Sequence, residues 1–260
     1  MGAKYAAWKK FGDKAEYIGV NYGKPLPRIE NGSDVYIIDF SYPKEILREL
    51  NGRSSKLLVL DHHKTAQEDL AGEPYAIFDM DRSGAVLAWN YFFPDSTVPT
   101  LLEMIQDMDL WKWKIPGTRN IMNFLEILGD DVSTWDQLVP LRGGVYSKGG
   151  YISQYQDRLL EKQVHKDNIA FRNIGKHKVG ILNTSVYPSE IGSWICINCN
   201  VDYSMTWNMD STNVVRLSFR SVGDFDVSEI AKLYGGGGHR NASGARTTPD
   251  KLMGILSGQP

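Results

Sequence analysis

The chain has 260 residues, of which 42% are hydrophobic and 23% charged, with a formal net charge of −2. That length and apolar content support one large domain or two modest ones with real cores, and the near-neutral balance argues against binding to long duplex nucleic acid. Two cysteines, Cys196 and Cys199, are too few for a disulfide framework, and no stretch approaches the length of a transmembrane helix, so a cytoplasmic location is expected.

Residues 1–12 read as an amphipathic helix stopped by Gly12, with too little apolar length for a signal peptide. Residues 16–22 read as a strand. Asp34-Val35-Tyr36-Ile37-Ile38-Asp39 is a second apolar strand that ends on an acid, and Ser41-Tyr42-Pro43 predicts a helix capped by the serine with proline in its first turn. That helix, over residues 44–51, leads into Leu57-Leu58-Val59-Leu60, which reads as a buried strand of a parallel sheet, and then into Asp61-His62-His63. A strand-helix-strand crossover makes the two strands parallel neighbours. Their carboxyl ends are where open α/β sheets place ligands. A carboxylate beside two imidazoles suits Mn²⁺ or a similar divalent ion; the plainer alternative is a solvated loop in which Asp61 caps the next helix.

Ala76-Ile77-Phe78-Asp79 predicts another strand, and Ser83-Gly84 opens a helix whose first amides either face a phosphate or pack against the sheet. Residues 101–113 read as helical. Within them Asp107 and Asp109 stand at i and i+2, so only one of the two faces a cleft. Trp111 and Trp113 are open to two readings, base stacking or core packing. Residues 145–172 are polar and helical, a connection between domains. Further on, residues 178–182 and 214–220 are strand-like, with a helix near 189–199 and a short one at 226–231. Cys196-x-x-Cys199 reads as two ordinary semi-buried thiols rather than half a zinc site, because no second pair exists.

The run Gly235-Gly236-Gly237-Gly238-His239-Arg240 lets backbone approach a ligand closely, and its successive amides predict a nest for an anion. His239 and Arg240 would add a hydrogen bond and a charge there. Arg220, at the end of a strand, is a second phosphate candidate.

Asp39, Asp61-His62-His63, an acid near Asp107, and Gly236-Gly237-Gly238-His239 with Ala242 and Gly244 together resemble the DHH phosphoesterases that carry a C-terminal DHHA1 domain. The resemblance covers nearly the whole chain. Its Asp-Met-Asp-Leu-Trp segment is similar to the branch of small oligoribonuclease-like and cyclic-nucleotide-phosphodiesterase-like proteins. The resemblance implies an α/β fold, with a parallel-sheet DHH catalytic domain over residues 1–144, a helical linker over 145–174 and a smaller α/β DHHA1 substrate-binding domain over 175–260. It implies two Mn²⁺ or Mg²⁺ ions, with Asp39, His62 and Asp107 as metal ligands and Asp109 as the alternate to Asp107. His63 would face the phosphate and Asp61 would orient the histidines. Arg220, Gly236, Gly237, Gly238 and His239 would hold the substrate.

The implied reaction is hydrolysis of phosphate esters of short oligonucleotides or nucleotides by a metal-activated water. Expected partners are that substrate alone, with no long duplex and no membrane, and a homodimer is left open. The family's first strand and Asp-x-Asp-Gly loop precede its first helix, and Met1 falls at the start of that helix. The chain as written is therefore expected to lack those ligands and to hold fewer ions. The alternative reading is a nucleotide- or phosphate-binding protein with impaired catalysis. A polyphosphatase or pyrophosphatase is a third possibility, although those relatives usually carry a different C-terminal domain without the Gly-Gly-Gly-His run.

Overall fold

The computed structural model describes residues 1–129, 131–138, 140 and 144–257. The chain divides into two units, Met1–Gln154 and Tyr155–Pro260. In the first, helix α1 (Gly2–Phe11) is followed by β1 (Asp34–Ile38), α2 (Lys44–Arg53), β2 (Lys56–Asp61), α3 (Lys64–Asp69) and β3 (Ala76–Phe78). Helices α4 (Gly84–Phe92), α5 (Thr100–Asp109), α6 (Thr118–Leu128), α7 (Val132–Leu138) and α8 (Val145–Gln163) complete it, the last running on into the second unit. The three strands lie in the order β1-β2-β3 and are all parallel.

The central strand β2 is buried from Leu57 onward, as its unbroken apolar run requires of a parallel strand covered on both faces. Its side chains alternate between two cores. Leu58 and Leu60 pack with Tyr5, Val86, Leu101 and Ile121 from α1, α4, α5 and α6. Leu57 and Val59 pack on the other side with Leu47 and Leu50 of α2 and with Leu70. Helices on both faces leave one place for polar chemistry, the carboxyl edge where β1 and β2 end side by side with Ile38 opposite Leu60.

Two of the expected elements differ in this unit. Residues 16–22 form no strand, since no described strand pairs with them; the Tyr22 ring instead packs on Phe40 at 4.5 Å and edge-on to His63 at 6.1 Å. The helix expected over 101–113 stops at Asp109. Asp107 ends it, because its carboxylate gathers the amides of Lys114 (2.7 Å) and Ile115 (3.0 Å) and draws the chain into a loop. Helices α6 and α7 were not foreseen from the sequence.

The second unit contains β4 (Ala170–Ile174), β5 (His177–Asn183), α9 (Pro188–Asn198), β6 (Tyr203–Met209), β7 (Val215–Arg220), α10 (Val227–Leu233), β8 (Gly237–His239), β9 (Ala242–Thr247) and α11 (Pro249–Leu256). Its sheet runs β4-β5-β6-β7-β9-β8 and only the β5–β6 pair, bridged by α9, is parallel. Val179, Ile181, Met205, Leu217 and Phe219 bury one face against Val227, Ala231, Leu252 and Ile255. On the other face Ile191 and Ile195 of α9 pack with Leu182.

The linker expected to be helical through residue 174 ends as a helix at Gln163, because residues 170–174 are recruited as an edge strand by antiparallel pairing with β5. Strand β6 was also unforeseen. No helix among the described residues is long and apolar enough to cross a membrane. The fold is α/β, with a parallel sheet in one unit and a mixed sheet in the other.

Candidate metal centre

The carboxyl ends of β1 and β2 carry Asp39 and the Asp61-His62-His63 triplet, and the structure brings all four side chains together. Each offers a ligand atom within 4.8 Å of the others. Asp39 sits one residue past β1 with a left-handed backbone, φ 61°, an uncommon state for a residue other than glycine. Its amide is fixed by a 2.8 Å bond to the Leu60 carbonyl. The turn sends its carboxylate under the start of α4, where a Cβ on Gly84 would lie 2.5 Å from Asp39 Oδ1. Only glycine fits there, and the helix N-terminus favours the negative charge. The start of α4 thus faces a carboxylate of this cluster. Ser83 caps it, its hydroxyl accepting from the Val86 amide.

Asp61 is wholly buried and fully engaged. One oxygen accepts from the His62 amide (2.8 Å) and meets His63 Nδ1 at 2.7 Å, and the other accepts from the Ser41 hydroxyl at 2.7 Å. Burial alone would raise its pKa; His63, Ser41 and the His62 amide outweigh that and hold it below the usual carboxylate range. With Nδ1 tied to Asp61, the His63 ring is oriented with Nε2 turned away from that carboxylate. Ser41 was expected to cap α2. That helix begins at Lys44 after Pro43, with no side-chain cap, and the serine is buried beneath the triplet instead.

His62 Nε2 lies 3.0 Å from Asp39 Oδ1 and 3.2 Å from Asp109 Oδ2. Burial lowers the imidazole pKa, but the Asp39 hydrogen bond and the charges of Asp109, Asp39 and Asp61 raise it overall. Asp109 is pushed up to about 6 by burial and by the charge of Asp39, partly offset by His62 and His63. Its buried Oδ2 receives no hydrogen bond from the described residues. Two carboxylate oxygens thus stand within 3.2 Å of one ring nitrogen, and oxygen and imidazole ligands brought together in this way fit a divalent cation such as Mn²⁺ or Mg²⁺.

Asp107 is not at this cluster. Besides the two loop amides, its carboxylate accepts from the Thr118 hydroxyl at 2.9 Å. Burial would raise its pKa; the Ile115 and Lys114 amides, Thr118 and Lys112 bring it down overall. The structure thus places Asp109, and not Asp107, beside His62, while the Asp107 carboxylate is held by three donors of its own.

The other predicted site residues lie in the second unit. Arg220 and His239 are both in register with Ala242, so the three form one row across β7, β9 and β8 and project from one face of the sheet. The Arg220 guanidinium donates to Ser218 Oγ (3.1 Å), to the Phe219 carbonyl (2.8 Å) and to Ser189 Oγ at the start of α9. The glycine run is part of the sheet. Gly237, Gly238 and His239 are strand β8, paired with Gly244, Ser243 and Ala242, and the Gly236 amide donates to the Ala231 carbonyl at 2.9 Å. A Cβ on Gly236 would collide with the Gly244 carbonyl and lie 2.7 Å from Ala245 Cα, so the glycines serve backbone against backbone. Cys196 is buried, its thiol bonded to the Arg220 carbonyl at 3.1 Å and its pKa raised by that burial; Cys199 follows at the end of α9.

Residues 198–257 match the DHHA1 domain. The chain is 31% identical over 271 residues to "Uncharacterized protein R106" of Acanthamoeba polyphaga mimivirus, an alignment covering 94% of this chain and 64% of that protein. It is 27% identical over 234 residues to "Oligoribonuclease NrnB" of Bacillus subtilis, covering 80% and 57%. It is 21% identical over 247 residues to the "3',5'-cyclic-nucleotide phosphodiesterase" of Helicobacter pylori, covering 76% and 69%. The chain thus spans 64% and 57% of the lengths of the first two of these relatives. Residues that take in β6 to α11 of the second unit thus match a DHHA1 domain, and the similarity to these relatives runs through both units.

Proposed function

We propose that this protein is a divalent-metal-dependent phosphodiesterase that hydrolyses short oligonucleotides. The observation that carries the reading is the convergence of the Asp39 and Asp109 carboxylates on His62 Nε2, at 3.0 and 3.2 Å. The oligoribonuclease and cyclic-nucleotide phosphodiesterase among its relatives supply the substrate class. Asp39, His62 and Asp109 would hold Mn²⁺ or Mg²⁺, which when bound lowers the pKa of water and neutralises charge developing on phosphorus-bound oxygens.

The remaining work falls to the chain's own groups. Asp61 fixes the His63 ring through Nδ1, so that its Nε2 is set to meet a phosphate oxygen or the leaving group. Ser41 and the His62 amide keep Asp61 ionised and still. In the second unit Arg220, preset by Ser218 and Ser189, and His239 in the same row supply donors for a terminal phosphate or nucleotide.

The test is release of mononucleotides from a short RNA by the purified chain with Mn²⁺ or with EDTA. The expected result is release with Mn²⁺, none with EDTA, and a loss of at least about 100-fold in His62→Ala. Release that persists in EDTA, or unchanged in His62→Ala, would remove this reading.

A further inference from the structure

The loop that leaves the proposed metal centre is held in a conformation its residues do not favour. Trp111 and Trp113 have left-handed backbones, φ 53° and 51°, a region that bulky side chains rarely enter. Asp107 imposes it. Its carbonyl accepts from the amides of Lys112 (2.8 Å) and Trp113 (3.3 Å), and its carboxylate accepts from the next two, Lys114 and Ile115. The loop is thereby folded back on the last turn of α5, the turn that presents Asp109 to His62.

Burial does not account for the arrangement, because Trp113 remains 37% exposed. The ring of Trp111 meets it edge-on, with centroids 5.2 Å apart and planes at 79°, which fixes the Trp113 ring while leaving it accessible. Lys112 and Lys114 alternate with the tryptophans and are exposed. Backbone strain that burial does not repay, in the loop that directly follows Asp109, is a mark of a binding device. Aromatic rings interleaved with cations match a single-stranded nucleic acid, bases on the rings and phosphates near the charges.

We propose that Trp113, braced by Trp111, is a stacking platform for a nucleobase next to the scissile phosphate, with Lys112 and Lys114 drawing in the backbone. The placement of that phosphate at Asp39, His62 and Asp109 rests on the phosphodiesterase reading above; the platform itself does not. Stacking accepts any base, so the site selects short single strands without reading their sequence. Asp107 is a positioning residue for the loop.

The experiment measures binding of two ligands to the Mn²⁺-loaded full chain. One is a dinucleotide whose bridging oxygen, the one hydrolysis would expel, is replaced by methylene; the other has the same backbone without bases. Trp113→Ala is expected to weaken the dinucleotide about tenfold or more while leaving the abasic ligand unchanged, and Trp113→Phe to restore most of the loss. Equal binding of the dinucleotide by wild type and Trp113→Ala overturns the proposal, as does an equal loss for both ligands or a wild type that does not prefer the dinucleotide. The expected binding pattern in a chain that cannot cleave the natural dinucleotide supports the platform and removes only the phosphodiesterase reading.

Discussion

The edge where β1 and β2 end and the hairpin of β8 and β9 both depend on a glycine that admits something no side chain would allow, and they use it to opposite ends. At Gly84 the intruder is a carboxylate, Asp39, which ends up against His62 and close enough to Asp109 to be felt as like charge. At Gly236 the intruder is backbone, and the amide beside it is already satisfied by the Ala231 carbonyl. One region gathers carboxylates and imidazoles within a few ångströms of one another; in the other, backbone lies against backbone. A close approach at glycine therefore does not by itself mark a site; what distinguishes the first region is the ionisable groups brought together there.

Exchanging each glycine sharpens that contrast. Gly84→Ala must move Asp39 or α4, and a displacement of this size at the reacting centre is expected to cost about 100-fold in kcat/KM, with weakened Mn²⁺ binding by calorimetry. Gly236→Ala should lower stability by about 1–3 kcal/mol, read as a shift in the urea midpoint, and leave Mn²⁺ affinity as it was. If Gly236→Ala weakened Mn²⁺ binding as much as Gly84→Ala, the separation drawn between the two regions would fail.

Asp107→Asn tests the loop rather than the cluster. It replaces a buried carboxylate that serves three donors and should cost about 1.5–3 kcal/mol. The pH dependence has a definite sign. The folded-state pKa of Asp107 is depressed, so its contribution is complete above the ordinary carboxylate value of about 4 and is lost as pH falls through the lower folded value. Urea midpoints taken between neutral and acid pH should therefore fall less steeply in Asp107→Asn than in wild type. A parallel pair of curves would contradict this assignment. The smallest effect is expected from Ser41→Ala, which removes one hydrogen bond to a charged, buried acceptor and should cost about 1.5 kcal/mol with a modest loss of activity.

Much of the first unit was legible because a short apolar run that stops at an acid seldom folds as anything but a buried strand with its polar end at the sheet's edge. Val35 to Ile38 and Leu57 to Leu60 had to be strands, the helix between them made them parallel, and Asp39 and Asp61 had to meet at one edge. The choice between Asp107 and Asp109 was not legible. Two acids at i and i+2 declare that one turns away, but which one depends on amides seven and eight residues further on, which no local pattern shows. Ser41 was misread for a related reason, since the same hydroxyl chemistry serves a helix cap or a buried acid 20 residues away. The glycine run announced close approach correctly, yet nothing in four glycines says whether a ligand or the neighbouring strand is what approaches. Strand β6 was missed because Tyr203 to Met209 carries polar residues that face α9, such as Ser204 bonded to the Gly192 carbonyl.

The account turns on Asp109, and not Asp107, sharing a cation with Asp39 and His62. Titrating Mn²⁺ into wild type, Asp109→Asn and Asp107→Asn by calorimetry tests this directly. The account predicts Mn²⁺ affinity reduced at least about tenfold in Asp109→Asn and near wild type in Asp107→Asn. Loss of affinity in Asp107→Asn with Asp109→Asn unaffected would contradict it.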